Sequence, residues 1–112
     1  MLDLWIDIGE YMDAILLAAG TSQRMGAGVD KQLTRLAGKP VMIFSLERLI
    51  NHKSIDRVIV TAAPGNIESI TAMLADYSLE NCCMVVEGGS TRQASVTCGL
   101  EHVSSERVLI HE

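Results

Sequence analysis

Short apolar runs alternate along the chain with longer stretches in which apolar residues recur every three or four positions. Ala14-Ile15-Leu16-Leu17 is a continuous apolar run ahead of Gly20 and predicts a buried strand. Leu33 to Lys39 reads as a short extended piece and a turn, and Pro40 suits the first position of a helix. Met42, Leu46, Leu49 and Ile50 carry that helix to about His52. Asp56 to Ala62 is apolar and β-branched, a second buried strand closed by Pro64-Gly65. Asn66 can cap a helix that places Ile67, Ile70, Leu74 and Tyr77 on one face. Cys83 to Val86 gives a third strand, stopped by Gly88-Gly89. Ser90 and Gln93 fit a capping box for a helix lined by Val96, Gly99, Leu100 and Val103, and Arg107 to His111 forms a fourth strand.

Strands alternating with helices at this spacing imply βαβ units, hence an α/β fold with a mainly parallel sheet and flanking helices. Ligands of such sheets bind beyond the carboxyl ends of the strands. Three segments meet that condition: the loop Ala18-Ala19-Gly20-Thr21 to Gln32 after the first strand, the Glu87-Gly88-Gly89-Ser90 turn after the third, and His111-Glu112 after the fourth. A loop rich in Gly, Ser and Thr lets backbone N–H groups converge on an anion. Arg24 and Lys31 add the charge that a polyphosphate or a phosphoryl transition state requires. It is not a Walker A loop, because Ala27 follows Gly26 and the only Gly-Lys pair, Gly38-Lys39, runs into Pro40. Nor is it a dinucleotide fingerprint, because no third Gly follows Gly26-Ala27-Gly28 in register. The plainer alternative is a surface loop with solvated charges. The other two segments have plain alternatives too: Gly88-Gly89 as a strand stop, Ser95 as a helix surface residue, Glu112 as a chain end.

Charge sharpens the picture. The 112-residue chain carries a net charge of -5, which disfavours nucleic acid as a partner, since that binding depends on a basic face. Between Thr21 and Pro40, however, Arg24, Lys31, Arg35 and Lys39 face only Asp30, a local basic patch suited to a small anion. Cys82, Cys83 and Cys98 lack both disulfide parity and metal spacing, and His52, His102 and His111 are scattered, so reduced thiols are expected. No run reaches the length of a membrane span, and the acidic start Met1-Leu2-Asp3-Leu4-Trp5 is unlike a signal peptide. These features read as a cytoplasmic protein. Residues 1–12 form an extension of unassigned role ahead of the domain that begins at Asp13.

Ala18-Ala19-Gly20, Arg24-Met25-Gly26, Lys31-Gln32, Gly38-Lys39-Pro40, Gly88-Gly89-Ser90-Thr91-Arg92, Ser95-Val96 and Gly99-Leu100, in this order, resemble the 2-C-methyl-D-erythritol 4-phosphate cytidylyltransferases. The resemblance runs from Asp13 to Glu112. It implies a Rossmann-like nucleotidyltransferase fold and transfer of CMP from CTP to the acceptor alcohol phosphate, releasing pyrophosphate, in isoprenoid precursor synthesis by the non-mevalonate route. Arg24 and Lys31 match the family's catalytic cations. Ala18, Ala19, Gly20 and Thr21 match the triphosphate cradle, and Gly88, Gly89, Ser90, Arg92 and Ser95 match the segment that reads cytosine and ribose. Glu112 matches the carboxylate that holds Mg²⁺. A homodimer is implied for the full-length protein.

Three departures qualify the likeness. Asp30 stands where the family has Pro before the catalytic Lys, and Glu112 stands where it has Asp. The family also continues beyond the last strand with the residues that grip the acceptor, so residues 13–112 are expected to be the N-terminal part of a domain whose C-terminal part is missing. Two alternatives remain open at this point: a ribitol-5-phosphate cytidylyltransferase, and a truncated fragment that binds nucleotide without turnover.

Overall fold

A computed structural model of the chain describes residues 12–18, 35–105 and 107–111. The extension 1–11, the loop residues Ala19, Gly20, Thr21, Arg24 and Lys31, and Glu112 lie outside the described residues. Strand β1 (Met12–Ala18) begins on the last residue assigned to the extension. Two residue pairs, β2 (Arg35–Leu36) and β3 (Lys39–Pro40), form a tiny antiparallel hairpin. Its turn places Ala37 at φ 56° and Gly38 at φ 82°, a left-handed pair in which the glycine carries the larger angle without strain. Helix α1 (Val41–Ile50) follows, then β4 (Ile55–Ala62), a 3-10 turn at Pro64–Asn66, α2 (Ile67–Asp76), β5 (Cys83–Glu87), α3 (Arg92–Leu100) and β6 (Val108–His111).

The four longer strands form one parallel sheet in the order β5-β4-β1-β6. Alternation along β1 and β4 sorts the side chains. Ala14, Leu16, Ala18, Val58, Val60 and Ala62 join the core built with α1 and α2, through Met42, Ile43, Leu46, Ile70 and Leu74. Ile15, Leu17 and Ile59 form a second cluster with Val96 of α3 and Val103 beyond it. Burial on both faces explains why β1 and β4 read as continuous apolar runs.

The local expectations shift in three places. Pro40 is the residue before α1 rather than its first helical residue, because it closes the hairpin. Thr91, not Ser90, caps α3: its Oγ1 accepts the Ala94 N–H at 3.0 Å. Leu100 is exposed, and the inward face of α3 is made by Ser95 and Gly99. A Cβ on Gly99 would stand 3.0 Å from the Ile15 side chain, so the helix lies too close to β1 for larger residues.

Burial, reinforced by the neighbouring Cys82, pushes the Cys83 thiol up to about 12. Its folded value lies above the ordinary 9.0, so the stability it contributes is complete below that pH and is lost as pH rises towards 12. The melting temperature of the wild type is expected to fall more steeply than that of Cys83→Val between about pH 8 and pH 11. Parallel slopes for the two proteins would remove the thiol from the account.

Candidate functional site

Sheet order fixes where a ligand can approach. From β1 the chain adds β4 and then β5 on one side, and β6 on the other, so the topological switch lies between β1 and β6 at the carboxyl edge. Register aligns that edge: Ala18 pairs with Ala62, and Ala62 with Glu87, while His111 is level with Leu16. Adjacent strands are about 4.8 Å apart, which puts the ends of β1 and β5 about 10 Å from one another. Of the residues singled out in the sequence, Ala18 is the buried last residue of β1, from which the Gly-rich loop departs. His111 ends β6 and leads directly to Glu112.

The turn after β5 is described in full. The Gly88 N–H donates to the Ala62 carbonyl at 2.8 Å, extending the β4–β5 ladder by one bond. Gly89 then passes so close to the start of α3 that an added Cβ would lie 2.3 Å from the Ala94 Cβ and 3.0 Å from the Ala94 carbonyl carbon. Ser95, only 1% exposed, accepts the Gly89 N–H on its Oγ at 3.1 Å and donates its own proton to the Gly89 carbonyl at 3.4 Å. Ser90 and Arg92 are exposed at the same end. The structure thus brings Gly88, Gly89, Ser90, Arg92 and Ser95 together at a helix N-terminus on the carboxyl edge, a setting that favours an anionic or hydrogen-bonding ligand.

Thr61 and Asp13 are among the buried polar residues that the sequence reading did not single out. Thr61, on β4 one residue below the edge, is fully buried, and its hydroxyl has no hydrogen-bond partner among the described residues. Asp13 is fully buried at the opposite end of β1, where Oδ2 accepts the Ser104 N–H at 2.8 Å and Oδ1 accepts the Ser105 hydroxyl at 3.2 Å. Arg57 stands beside it, Nε 3.6 Å from Oδ2, and donates from Nη2 to the His102 carbonyl. For Thr61, a polar residue inside the apolar run of β4 was the available signal.

Lys39, one of the cations of the basic patch, is committed to α1: its Nζ lies 2.6 Å from Glu47 Oε1 and 4.7 Å over the Phe44 ring. A cleft of about 410 Å³ between α1 and β6, with Arg48, His52, Leu49, Ile55 and Leu109 in its walls, lies on the α1 face of the sheet, across from Ser95. Among the described residues no cluster of three His, Cys, Asp or Glu side chains could hold a metal. No described helix is long and apolar enough to cross a membrane.

A parallel sheet in this order, with a glycine turn packed on a helix start at its carboxyl edge, is a Rossmann-like arrangement, and the solved structures that share it place the chain in the nucleotidyltransferase fold class. The 4-diphosphocytidyl-2C-methyl-D-erythritolsynthase of Anaerococcus prevotii superimposes with a TM-score of 0.75 at 27% identity, covering 92% of this chain and 43% of that one. The inositol-1-phosphate CTP transferase of T. maritima, at 23% identity and a TM-score of 0.74, shares the fold over 91% of this chain and 43% of its own. The chain belongs to the IspD family, 2-C-methyl-D-erythritol 4-phosphate cytidylyltransferase, whose family model matches residues 12–112. Curated relatives of that name include one from Clostridium botulinum, 35% identical over 100 residues, and one from Clostridium novyi, 38% identical over 101. In both, the match covers 88% of this chain and 44% of the relative, so the chain spans less than half the length of these relatives.

Proposed function

We propose that residues 12–112 form the nucleotide-binding part of a cytidylyltransferase that transfers CMP from CTP to 2-C-methyl-D-erythritol 4-phosphate. In the reaction a phosphate oxygen of the acceptor forms a bond to the α-phosphorus of CTP while the bond from that phosphorus to the α,β-bridging oxygen breaks, and pyrophosphate leaves with the electron pair. Such chemistry needs positioning and charge neutralisation more than covalent help. Arg24 and Lys31 take the second task, and the backbone of Ala18, Ala19, Gly20 and Thr21 cradles the phosphates. The Gly88–Ser90 turn, Arg92 and Ser95 form the base and ribose end. A carboxylate beside phosphate oxygens is the donor set Mg²⁺ prefers, and Glu112 is the residue assigned to it. The bound ion would add charge neutralisation at the triphosphate. The full-length protein is proposed to be a cytoplasmic homodimer, in keeping with free thiols at Cys82, Cys83 and Cys98.

The observation that supports this reading is the family match over residues 12–112, within which the glycine turn and the start of helix α3 lie at the carboxyl edge of the sheet. Calorimetric titration of the chain with CTP, UTP, ATP and GTP, each with Mg²⁺, tests it. Saturable binding that prefers CTP is expected, weakened about 10- to 100-fold by Arg24→Ala, the worth of one charge-assisted phosphate contact. A folded chain that binds none of the four nucleotides would overturn the reading.

A further inference from the structure

We propose that Asp13 is a positioning residue for the carboxylate end of the site: it sets the register of β6 against β1, and with it the place at which Glu112 reaches the carboxyl edge. This rests on the reading of Glu112 as the carboxylate beside the triphosphate. Burial does not fix the register of β6 on either face. Leu109 and Ile110, which point to opposite faces, are 41% and 40% exposed, and Val108 and His111 are only half-buried. Among the described residues β6 pairs with β1 alone, over the four residues Val108–His111. A strand with no buried face tolerates a slip that a single buried face would forbid. Slipping by one residue would shift β6 by about 3.3 Å and turn every side chain to the other face.

The register is set instead where the chain enters the strand. The Asp13 carboxylate accepts the Ser104 N–H on Oδ2 at 2.8 Å and the Ser105 hydroxyl on Oδ1 at 3.2 Å, and the Asp13 N–H donates to the Arg107 carbonyl at 3.3 Å. Arg57, level with Asp13 on β4, reaches the His102 carbonyl of the same connection. Asp13 is fully buried, so leaving either oxygen unpaired there is costly. The residues just ahead of β6 are thereby tied to one position on β1, which makes Val108 the partner of Asp13 and His111 the partner of Leu16. From Asp13 to Leu16 the strand advances about 10 Å. A carboxylate at the amino end of β1 therefore governs the placing of one at the carboxyl end of β6 without meeting the ligand.

The test compares wild type, Asp13→Asn, Ser105→Ala and, as a control for lost stability alone, Ile70→Val in the core on α2. Cross-strand NOEs between β1 and β6 report the register of the unliganded chain, and hydrogen exchange reports how firmly β6 is held. Calorimetry gives the CTP affinity with Mg²⁺ and with EDTA, well below the melting temperature. In Asp13→Asn the NOEs joining Leu16 to His111 are expected to weaken, and the β6 amides to exchange about 10- to 100-fold faster relative to those of β4. The gain in CTP affinity on adding Mg²⁺ is expected to shrink about tenfold, with affinity in EDTA little changed. Ser105→Ala removes one of the bonds and leaves the Asp13–Arg57 pair, so it covers the case of an unfolded Asp13→Asn and should move the same readouts in the same direction. Ile70→Val should move none of them. Wild-type NOEs and β6 exchange in both variants overturn the register pin. An altered register with the full Mg²⁺ gain reduces Asp13 to a structural role and overturns the inference. A wild type with β1 and β6 in this register that binds no CTP, or gains nothing from Mg²⁺, brings down the reading of Glu112 and this inference with it.

Discussion

Replacing Asp13 with alanine is expected to cost about 3 kcal/mol of stability and to lower the melting temperature by about 10–20 °C. Asp13 is fully buried, and three groups far along the chain converge on it: the Ser104 N–H, the Ser105 hydroxyl and the Arg57 guanidinium. Register makes Arg57 the direct partner of Asp13 across β1 and β4, after an irregularity between Met12 and Asp13 that brings it there. Removing one member of a buried ion pair typically costs about 3–5 kcal/mol, because the other is left uncompensated. The Arg57 side chain is 31% exposed, and water relieves part of that loss, which puts the estimate at the lower end. The part-buried hydrogen bond from the Ser104 N–H is lost as well. Against a total stability of about 5–15 kcal/mol the effect is large. Asp13→Asn keeps an acceptor and loses the charge, and should fall between wild type and alanine. Urea melts of the three proteins provide the measurement. A loss under about 1 kcal/mol in the alanine variant would show that this latch between β1 and the α3–β6 connection is incidental.

That latch also shows which parts of the molecule were legible in the sequence. Runs such as Val58-Ile59-Val60 and the spacing of Met42, Leu46 and Leu49 report local periodicity, and the structure has strands and helices there. The likeness in the glycine loop and in Gly88-Gly89-Ser90-Thr91-Arg92 identified the family, because those motifs constrain a backbone locally. Asp13 could not be read in this way. Its partners lie 91 and 92 residues away, and nothing near it in the chain announces them. The burial of Ser95 was not legible for a related reason: whether a hydroxyl on a helix faces inward or solvent depends on how α3 is rotated on the sheet. Leu100 suggested one rotation, and the small residues Ser95 and Gly99, which allow the close approach to Ile15, set another. The choice between Ser90 and Thr91 as cap turned on a single residue of turn geometry. For Arg24, Lys31 and Glu112 the sequence and the family remain the guide, since they lie outside the described residues.

Gly89→Ala is expected to weaken CTP binding by about 100-fold while costing only about 1–3 kcal/mol of stability. The added methyl would lie 2.3 Å from the Ala94 Cβ, 3.2 Å from its Cα and 3.0 Å from its carbonyl carbon, and two of those three atoms are backbone that no rotamer change can withdraw. One side has to move. Helix α3 is held by its Thr91 cap and by Gly99 against Ile15, whereas the turn is secured through Gly88 to Ala62 and through Gly89 to Ser95. The turn is the softer side, and displacing it by the order of 1 Å breaks the Gly89–Ser95 hydrogen bonds and misplaces whatever the turn presents, a shift of the size that costs about 100-fold where binding geometry is strict. Gly65→Ala is the matched control: its Cβ meets nothing within 4 Å, so neither stability nor CTP affinity should fall. Adding Ala94→Gly to Gly89→Ala removes the 2.3 Å contact and leaves the two backbone contacts, so it should restore part of the CTP affinity, at about 1 kcal/mol in helix propensity. Recovery of affinity alongside a further drop in melting temperature would separate the shape of the turn from the stability of the domain. If Gly89→Ala binds CTP as the wild type does, the base end of the site lies elsewhere on the carboxyl edge.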